Sequence, residues 1–150
     1  MRLDAWAELL RRLLPGLWAG LLLCVALLAT PAPFAVLSAA EAGRVVGHIF
    51  AREAAVAVLL GAVLLVLERR RAAQIKPEGS QFSVEMGLAL LAIFCTVLGY
   101  YALQPEMAAA KAGQGRLSFG QLHAISLGLF GVKILAVLAL AWRAAQTPQR

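Results

Sequence analysis

The stretch FGQLHAISLGLFGVKILAVLALAW, residues 119–142, is the part of the sequence on which the fold depends. It is long enough to cross a bilayer, since a helical crossing needs about 20 apolar residues. It nevertheless contains His123, Ser126 and Lys133. At about 100° per residue, these three side chains fall within an arc of about 80° on one side of a helix. A histidine and a lysine on one stripe should not face lipid, so the stretch predicts that other helices pack against this stripe.

The composition of the whole chain also indicates a membrane protein. Its 150 residues are 61% hydrophobic, with a mean hydropathy of +0.79, whereas soluble domains are about 45–50% apolar. The net charge is +6 at pH 7, and the basic residues lie at the ends of the apolar stretches rather than on a separate polar domain. This distribution is typical of a membrane topology signal and of contact with anionic lipid, and it argues against nucleic-acid binding.

Four apolar stretches predict an all-α membrane protein, a bundle of four transmembrane helices. A short amphipathic helix, residues 1–12, precedes them and is expected to lie along the membrane surface. The third stretch carries small and polar residues at helical spacing, which predicts a surface that packs against the fourth helix. These residues are Glu85, Ala89, Ala92, Thr96 and Gly99. The predicted spans are residues 13–37, 45–67, 82–103 and 119–142 of a single membrane domain, 1–150.

The sequence also marks where several helices begin and end. Ser38 precedes Glu41 by three residues and Ser118 precedes Gln121 by three, which is the capping-box spacing that starts a helix. Two prolines near the outer end of the first span are expected to kink or stop that helix, because proline lacks a backbone N–H. A signal peptide is the alternative interpretation of the first span, but its apolar stretch exceeds the ~7–15 residues of such peptides.

The positions of the basic residues predict the orientation in the membrane. Four crossings put both termini on one side. Nine basic residues lie on that side and four lie in the other two loops with the flanking turn, and Lys133 is the fourteenth. The nine are Arg2, Arg11, Arg12, Arg69, Arg70, Arg71, Lys76, Arg143 and Arg150; the four are Arg44, Arg52, Lys111 and Arg116. The positive-inside rule therefore predicts cytoplasmic termini, and the Arg- and Ala-rich composition favours the inner (plasma) membrane of a bacterium.

Potential metal ligands lie near the outer ends of the second, third and fourth spans. His48, His123, Glu106 and Met107 are expected at a similar depth. Two imidazoles with a carboxylate or a thioether suit copper or zinc, and haem held by the two histidines is a weaker alternative. No tight spacing such as H-x-x-x-H is present. The competing hypothesis is therefore structural, with histidines that hydrogen-bond between helices.

Two further polar groups are predicted. Arg52, Glu53 and Ser126 are expected to form a polar cluster at the outer end, in which Arg52 pairs with an acidic residue. Deeper in the membrane, Glu85 and Lys133 are predicted to form a buried ion pair between the third and fourth helices, which would fix the helix register. A proton or cation relay is the alternative role for this pair.

Four motifs occur in order along the chain and give it a family resemblance. They begin the first span, open the second, close the third and open the fourth. The motifs are Gly16-Leu17-Trp18-Ala19-Gly20, Gly43-x-x-x-Gly47-x-x-Phe50, Gln104-Pro105-Glu106-Met107 and Phe119-x-x-x-His123-x-x-Ser126. On these the chain resembles the transmembrane-protein-205-like family of four-helix membrane proteins. The resemblance implies a four-helix bundle over roughly residues 13–142, and it brings no reaction because the family is largely uncharacterised.

These observations favour a non-enzymatic membrane component or accessory subunit. The sequence contains no G-x-S-x-G, no H-E-x-x-H, no C-x-x-C and no phosphate-binding loop. The alternatives are a transporter or resistance factor for a metal or a cationic compound, and an intramembrane redox protein with copper or haem. The expected partners are the lipid bilayer, anionic lipids at Arg69, Arg70 and Arg71, and a homo-oligomer or larger membrane complex.

Overall fold

The computed structural model describes residues 2–75 and 78–146, with side chains from residue 5 onward. Within these residues the chain is helical and contains no strand, and four helices are long and apolar enough to cross a membrane. The predicted all-α class with four spanning helices is therefore confirmed. Lys76 and Pro77, in the connection between the second and third spans, lie outside the described residues, as do residues 147–150.

Each span is a continuous or nearly continuous helix, and two of them include a π-helical turn. The amphipathic segment at the amino terminus is helical and continues without a break into the first span. The first span comprises α1 (Arg2–Cys24), a π-helical turn (Val25–Ala29) and α2 (Pro31–Val36), and the second is α3 (Ala39–Ile75). The third comprises α4 (Val84–Thr96), a second π-helical turn (Val97–Ala102) and α5 (Leu103–Lys111), and the fourth is α6 (Phe119–Ala145).

The predicted capping boxes open α3 and α6. The Ser118 hydroxyl accepts a hydrogen bond from the backbone N–H of Gln121 at 3.2 Å, and the Gln121 side chain accepts one from the N–H of Ser118 at 2.9 Å. Ser38 and Glu41 make the equivalent pair, at 3.4 and 3.3 Å. These bonds satisfy N–H groups that have no partner inside the helix. The start of each helix is therefore fixed by the sequence, which fixes the depth of every later residue on it.

Two ion pairs show which ends of the helices lie together. Arg11 near the start of α1 contacts Glu68 near the end of α3, and Arg143 near the end of α6 contacts Glu85 near the start of α4. The amino- and carboxy-terminal ends of the described chain therefore lie at one end of the bundle, which is called the terminal end below. The α2–α3 and α5–α6 connections lie at the opposite end, which is called the loop end.

The core between the helices combines one large aromatic side chain with many small ones. Trp18 is fully buried, and small residues of α3 and α4 line the space around it. Gly61 of α3 is in close contact with α4, since a Cβ at this position would lie 2.5 Å from Cγ1 of Ile93. The predicted packing stripe of the third span is confirmed: Ala89, Ala92 and Thr96 are buried, and Gly99 lies against Leu129 of α6. Small residues at helix contacts allow this close approach.

Candidate functional site

A buried ion pair joins the middle of α6 to α3. The ammonium of Lys133 donates hydrogen bonds to both carboxylate oxygens of Glu53, each at 2.8 Å. Both side chains are only 3% exposed. A charge in this apolar environment is costly unless it is paired and hydrogen-bonded. The arrangement therefore neutralises the two most deeply placed charges of the fourth and second spans against each other.

The register of the two helices explains why these side chains meet. Glu53 and Lys133 each lie 15 residues after the serine that caps their helix, since 53 − 38 and 133 − 118 are both 15. Both helices start at the loop end and run towards the terminal end, so equal counts from the cap mean equal depth. At about 1.5 Å per residue, this depth is about 22 Å from each cap. The ion pair is thus a direct consequence of two capped, parallel helices.

The predicted Glu85–Lys133 pair is wrong. Glu85 pairs instead with Arg143. Oε1 of Glu85 lies 2.8 Å from Nη2 and 2.9 Å from Nε of the Arg143 guanidinium. Glu85 lies at the start of α4, at the terminal end, whereas Lys133 lies ten residues before Arg143 on α6. Ten residues correspond to about 15 Å along a helix, which is longer than a lysine side chain can span. The prediction placed Lys133 on the correct side of its helix but chose a partner at the wrong depth.

Aromatic rings and a thiol enclose the buried pair. The Lys133 ammonium lies 4.7 Å from the centroid of the Phe130 ring, at cation–π distance. Phe50 of α3 packs edge-to-face on Phe130, with ring centroids 5.2 Å apart. Cys95 of α4 is buried and close enough to interact electrostatically with Lys133. Three of the four spans therefore contribute side chains to the surroundings of the pair.

The structure does not assemble the predicted metal site. His48 and Glu106 are exposed, and His123 is also exposed and stacks on Phe119 of its own helix, with ring centroids 5.8 Å apart. Met107 is buried. Over residues 5–75 and 78–146, no group of three or more His, Cys, Asp or Glu side chains is placed to hold a metal ion. His48, Glu106 and His123 are thus exposed while Met107 is buried, so the four residues do not form one ligand set.

The predicted outer-end cluster of Arg52, Glu53 and Ser126 is likewise not a single site. Arg52 is exposed, while its neighbour Glu53 points into the bundle and binds Lys133. The Ser126 hydroxyl donates a hydrogen bond to the backbone carbonyl of Gly99 in the third span, at 3.0 Å. Adjacent residues on a helix point about 100° apart. The expected pairing of Arg52 with an acidic residue, Glu53 or Glu106, is therefore not seen among the described residues, and Glu53 pairs between helices with Lys133 instead.

A shallow open groove lies at the loop end between α3 and the third span. Its volume is about 460 Å³. One wall comes from the first turns of α3, and the other from the second π-helical turn and the start of α5. The residues that line it are Gly43, Arg44, Gly47, His48, Ala51, Tyr100, Tyr101 and Gln104. This loop-end groove contains basic, aromatic and amide side chains, and no acidic side chain lines it.

A network of charges at the terminal end was not predicted from the sequence. Arg11 is 1% exposed and donates hydrogen bonds to both oxygens of Glu8, at 2.8 Å each, and to Glu68 at 3.1 Å. Arg12 also donates to Glu8, at 2.7 Å. Arg71 extends the network to Glu68 at 3.9 Å. The sequence signal was the alternation of acidic and basic residues at spacings of three and four in residues 8–12.

Comparisons with known proteins give a family and no activity. No curated protein and no solved structure matches the chain. A family profile described as a domain of unknown function, DUF4149, matches residues 13–116. The match extends from the first span to the loop before α6 and thus covers more than half of the chain. The protein therefore belongs to the DUF4149 family, whose function is unknown.

Proposed function

We propose that the protein is a non-enzymatic component of the membrane, acting as an accessory or assembly subunit. The observation that carries this proposal is the Glu53–Lys133 ion pair, which is buried and hydrogen-bonded within itself. Glu53 and Lys133 are the charges best placed to bind or move a substrate inside the bundle. They bind each other instead, through two hydrogen bonds of 2.8 Å. A pair of this kind supports a role in fixing how α3 and α6 are aligned.

The same pair weighs against the other functions that the sequence left open. A proton or cation relay needs an ionisable group that can exchange its partner with solvent, whereas both side chains of this pair are 3% exposed. The enzyme class has no support from the sequence, which lacks the common catalytic motifs. A metal or haem role remains a separate hypothesis, and the experiment below measures it directly.

The location is part of the proposal. We place the protein in the inner membrane of a bacterium with both termini in the cytoplasm, because the four-crossing topology assigns nine basic residues of the sequence to the side of the termini and four to the side of the other two loops. Arg69 and Arg70 are exposed just beyond the buried Glu68, a position that suits contact with anionic lipid headgroups. The resemblance to the transmembrane-protein-205-like family is compatible with this role and adds no chemistry to it.

Purification in a mild detergent tests the proposal. The tagged protein is solubilised from native membranes, and the particle mass, the visible spectrum and the bound copper, zinc and iron are measured on one sample. We expect a particle larger than the 15.9 kDa chain that contains a second membrane protein in fixed ratio, without stoichiometric metal. A monomer with one copper or zinc per chain would support the transport class instead, and a Soret band would support the redox class. Chemical cross-linking in intact membranes, before detergent is added, controls for association after lysis.

A further inference from the structure

The loop-end groove presents polar groups for which the described part of the chain supplies no partner. Arg44 and His48 are exposed and, among the described residues, neither makes a hydrogen bond or an ion pair. The buried basic side chains, in contrast, are paired, as Arg11 and Lys133 are. Tyr100 and Gln104 bring a hydroxyl and an amide to the opposite wall. The groove therefore contains hydrogen-bond donors that do not contribute to holding the fold together.

The groove lies at the level of lipid headgroups. The second span has no charge between Ala54 and Leu67, and Glu68 is followed at once by three arginines at the terminal end. Counting back about 20 residues from Glu68, the length of one crossing, reaches His48. Arg44 lies one helical turn further out, beyond the hydrocarbon. Two tyrosines beside it fit the interfacial region, where tyrosine is enriched.

The side chains that line the groove favour an anionic ligand. A guanidinium binds a phosphate through parallel hydrogen bonds, and an imidazole and an amide add further donors. Among the described residues, no acidic side chain lines the groove to compete for these donors. Gly43 and Gly47 have no side chain, and a Cβ at either position would meet no atom within 4 Å. The floor of the groove is therefore open helix backbone, which gives a bulky headgroup access to Arg44.

We propose that the loop-end groove binds the phosphate-bearing headgroup of an anionic lipid from the membrane leaflet at the loop end. Arg44 is the main phosphate ligand, and His48 and Gln104 donate further hydrogen bonds. This site is distinct from the arginines after Glu68, which lie at the opposite end of the bundle. A lipid held here would rest against α3 and the third span at once.

Native mass spectrometry with defined lipids tests this proposal. The full chain is purified in detergent and titrated with phosphatidylglycerol or with phosphatidylcholine, and the fraction carrying one lipid is measured. We expect phosphatidylglycerol to bind at least about tenfold more tightly, and Arg44→Gln to remove most of this preference, since charge-assisted hydrogen bonds are the strong ones. Arg52→Gln is the matched control: it removes the same charge from an exposed position on the same helix, outside the groove.

A second variant tests the groove without changing any charge. Gly47→Leu places a side chain into open space and should block the lipid while leaving the melting temperature within error of the wild type. Excess inorganic phosphate should leave the bound phosphatidylglycerol in place. Equal loss of lipid in Arg44→Gln and Arg52→Gln, equal binding of both lipids, or displacement of the lipid by phosphate alone would each overturn the proposal.

Discussion

At the scale of the single residue, Gly61 sets how closely α3 and α4 approach. Its hydrogen atom occupies the place where a Cβ would lie 2.5 Å from Cγ1 of Ile93 and 3.5 Å from the Trp18 ring. Trp18 is fully buried in the core, and Ile93 is partly buried on α4 beside it. Any side chain at this position must therefore displace the Ile93 side chain or the helix that carries it.

Replacing Gly61 should therefore destabilise the bundle. We expect Gly61→Val to lower the free energy of unfolding by about 1–3 kcal/mol, the usual cost of overpacking a core. Gly16→Val is the matched control, because a Cβ at Gly16 meets no atom within 4 Å. Thermal unfolding in detergent, followed by circular dichroism, compares the two variants. Equal stability of both would mean that α3 and α4 are not in contact at this point.

Lys133 shows how much of a site a single sequence can predict. Its burial followed from the stripe it shares with His123 and Ser126, because a charge on an apolar helix must avoid lipid. Its partner did not follow, because an angular pattern on one helix carries no information about depth on another. The two capping serines did hold that information, since Glu53 and Lys133 lie at equal distances from them. The groove could not be predicted from the sequence, because it depends on which faces of α3 and the third span meet.

At the scale of the helical element, α1 is anchored at its start by charges that point inward. The sequence predicted the amphipathic segment as a surface helix, because charged residues usually face water or headgroups. The structure instead buries Arg11 between Glu8 and Glu68, which ties the first turns of α1 to the end of α3. The starts of α3 and α6 were predictable from their caps. The helix ends were not, since the third span continues as helix through its predicted closing motif to Lys111. The direction of this arginine depends on a contact 57 residues away.

This anchor can be tested by local exchange. Arg11→Gln leaves Glu68 buried with only the distant guanidinium of Arg71, so we expect a loss of about 3–5 kcal/mol, as for other broken buried pairs. Hydrogen exchange in residues 5–15 should accelerate first. Arg12→Gln is the control: Arg12 is partly exposed and contacts Glu8 alone, so about 1 kcal/mol or less is expected. Similar exchange rates in both variants would show that the start of α1 is held by other contacts.

At the scale of the whole molecule, the bundle has two chemically different ends. The terminal end holds a network of paired acidic and basic side chains, whereas the loop end holds the open groove, where the guanidinium of Arg44 has no partner among the described residues. The excess of basic residues at the terminal end predicts that it faces the cytoplasm. The loop-end groove would then lie in the leaflet that faces away from the cytoplasm.

Reporter fusions test this orientation. A reporter that is active only in the cytoplasm is joined to the carboxy terminus, and in a second protein it is inserted into the 112–118 loop. We expect activity from the terminal fusion and none from the loop insertion, and a reporter that requires export should give the opposite result. A carboxy terminus on the outside would contradict the orientation, while activity on the same side for both fusions would contradict four crossings.

The central claim is that the Glu53–Lys133 ion pair fixes the alignment of α3 and α6, and a double-mutant cycle tests it most directly. The variants are Glu53→Gln, Lys133→Met and both together, with Glu85→Gln combined with Lys133→Met as the control cycle. Reversible unfolding in detergent gives the free energies. We predict that each change at the pair costs about 3–5 kcal/mol alone, and that the double variant is more stable than either. The control cycle should be additive. Additive effects of Glu53→Gln and Lys133→Met would contradict the claim.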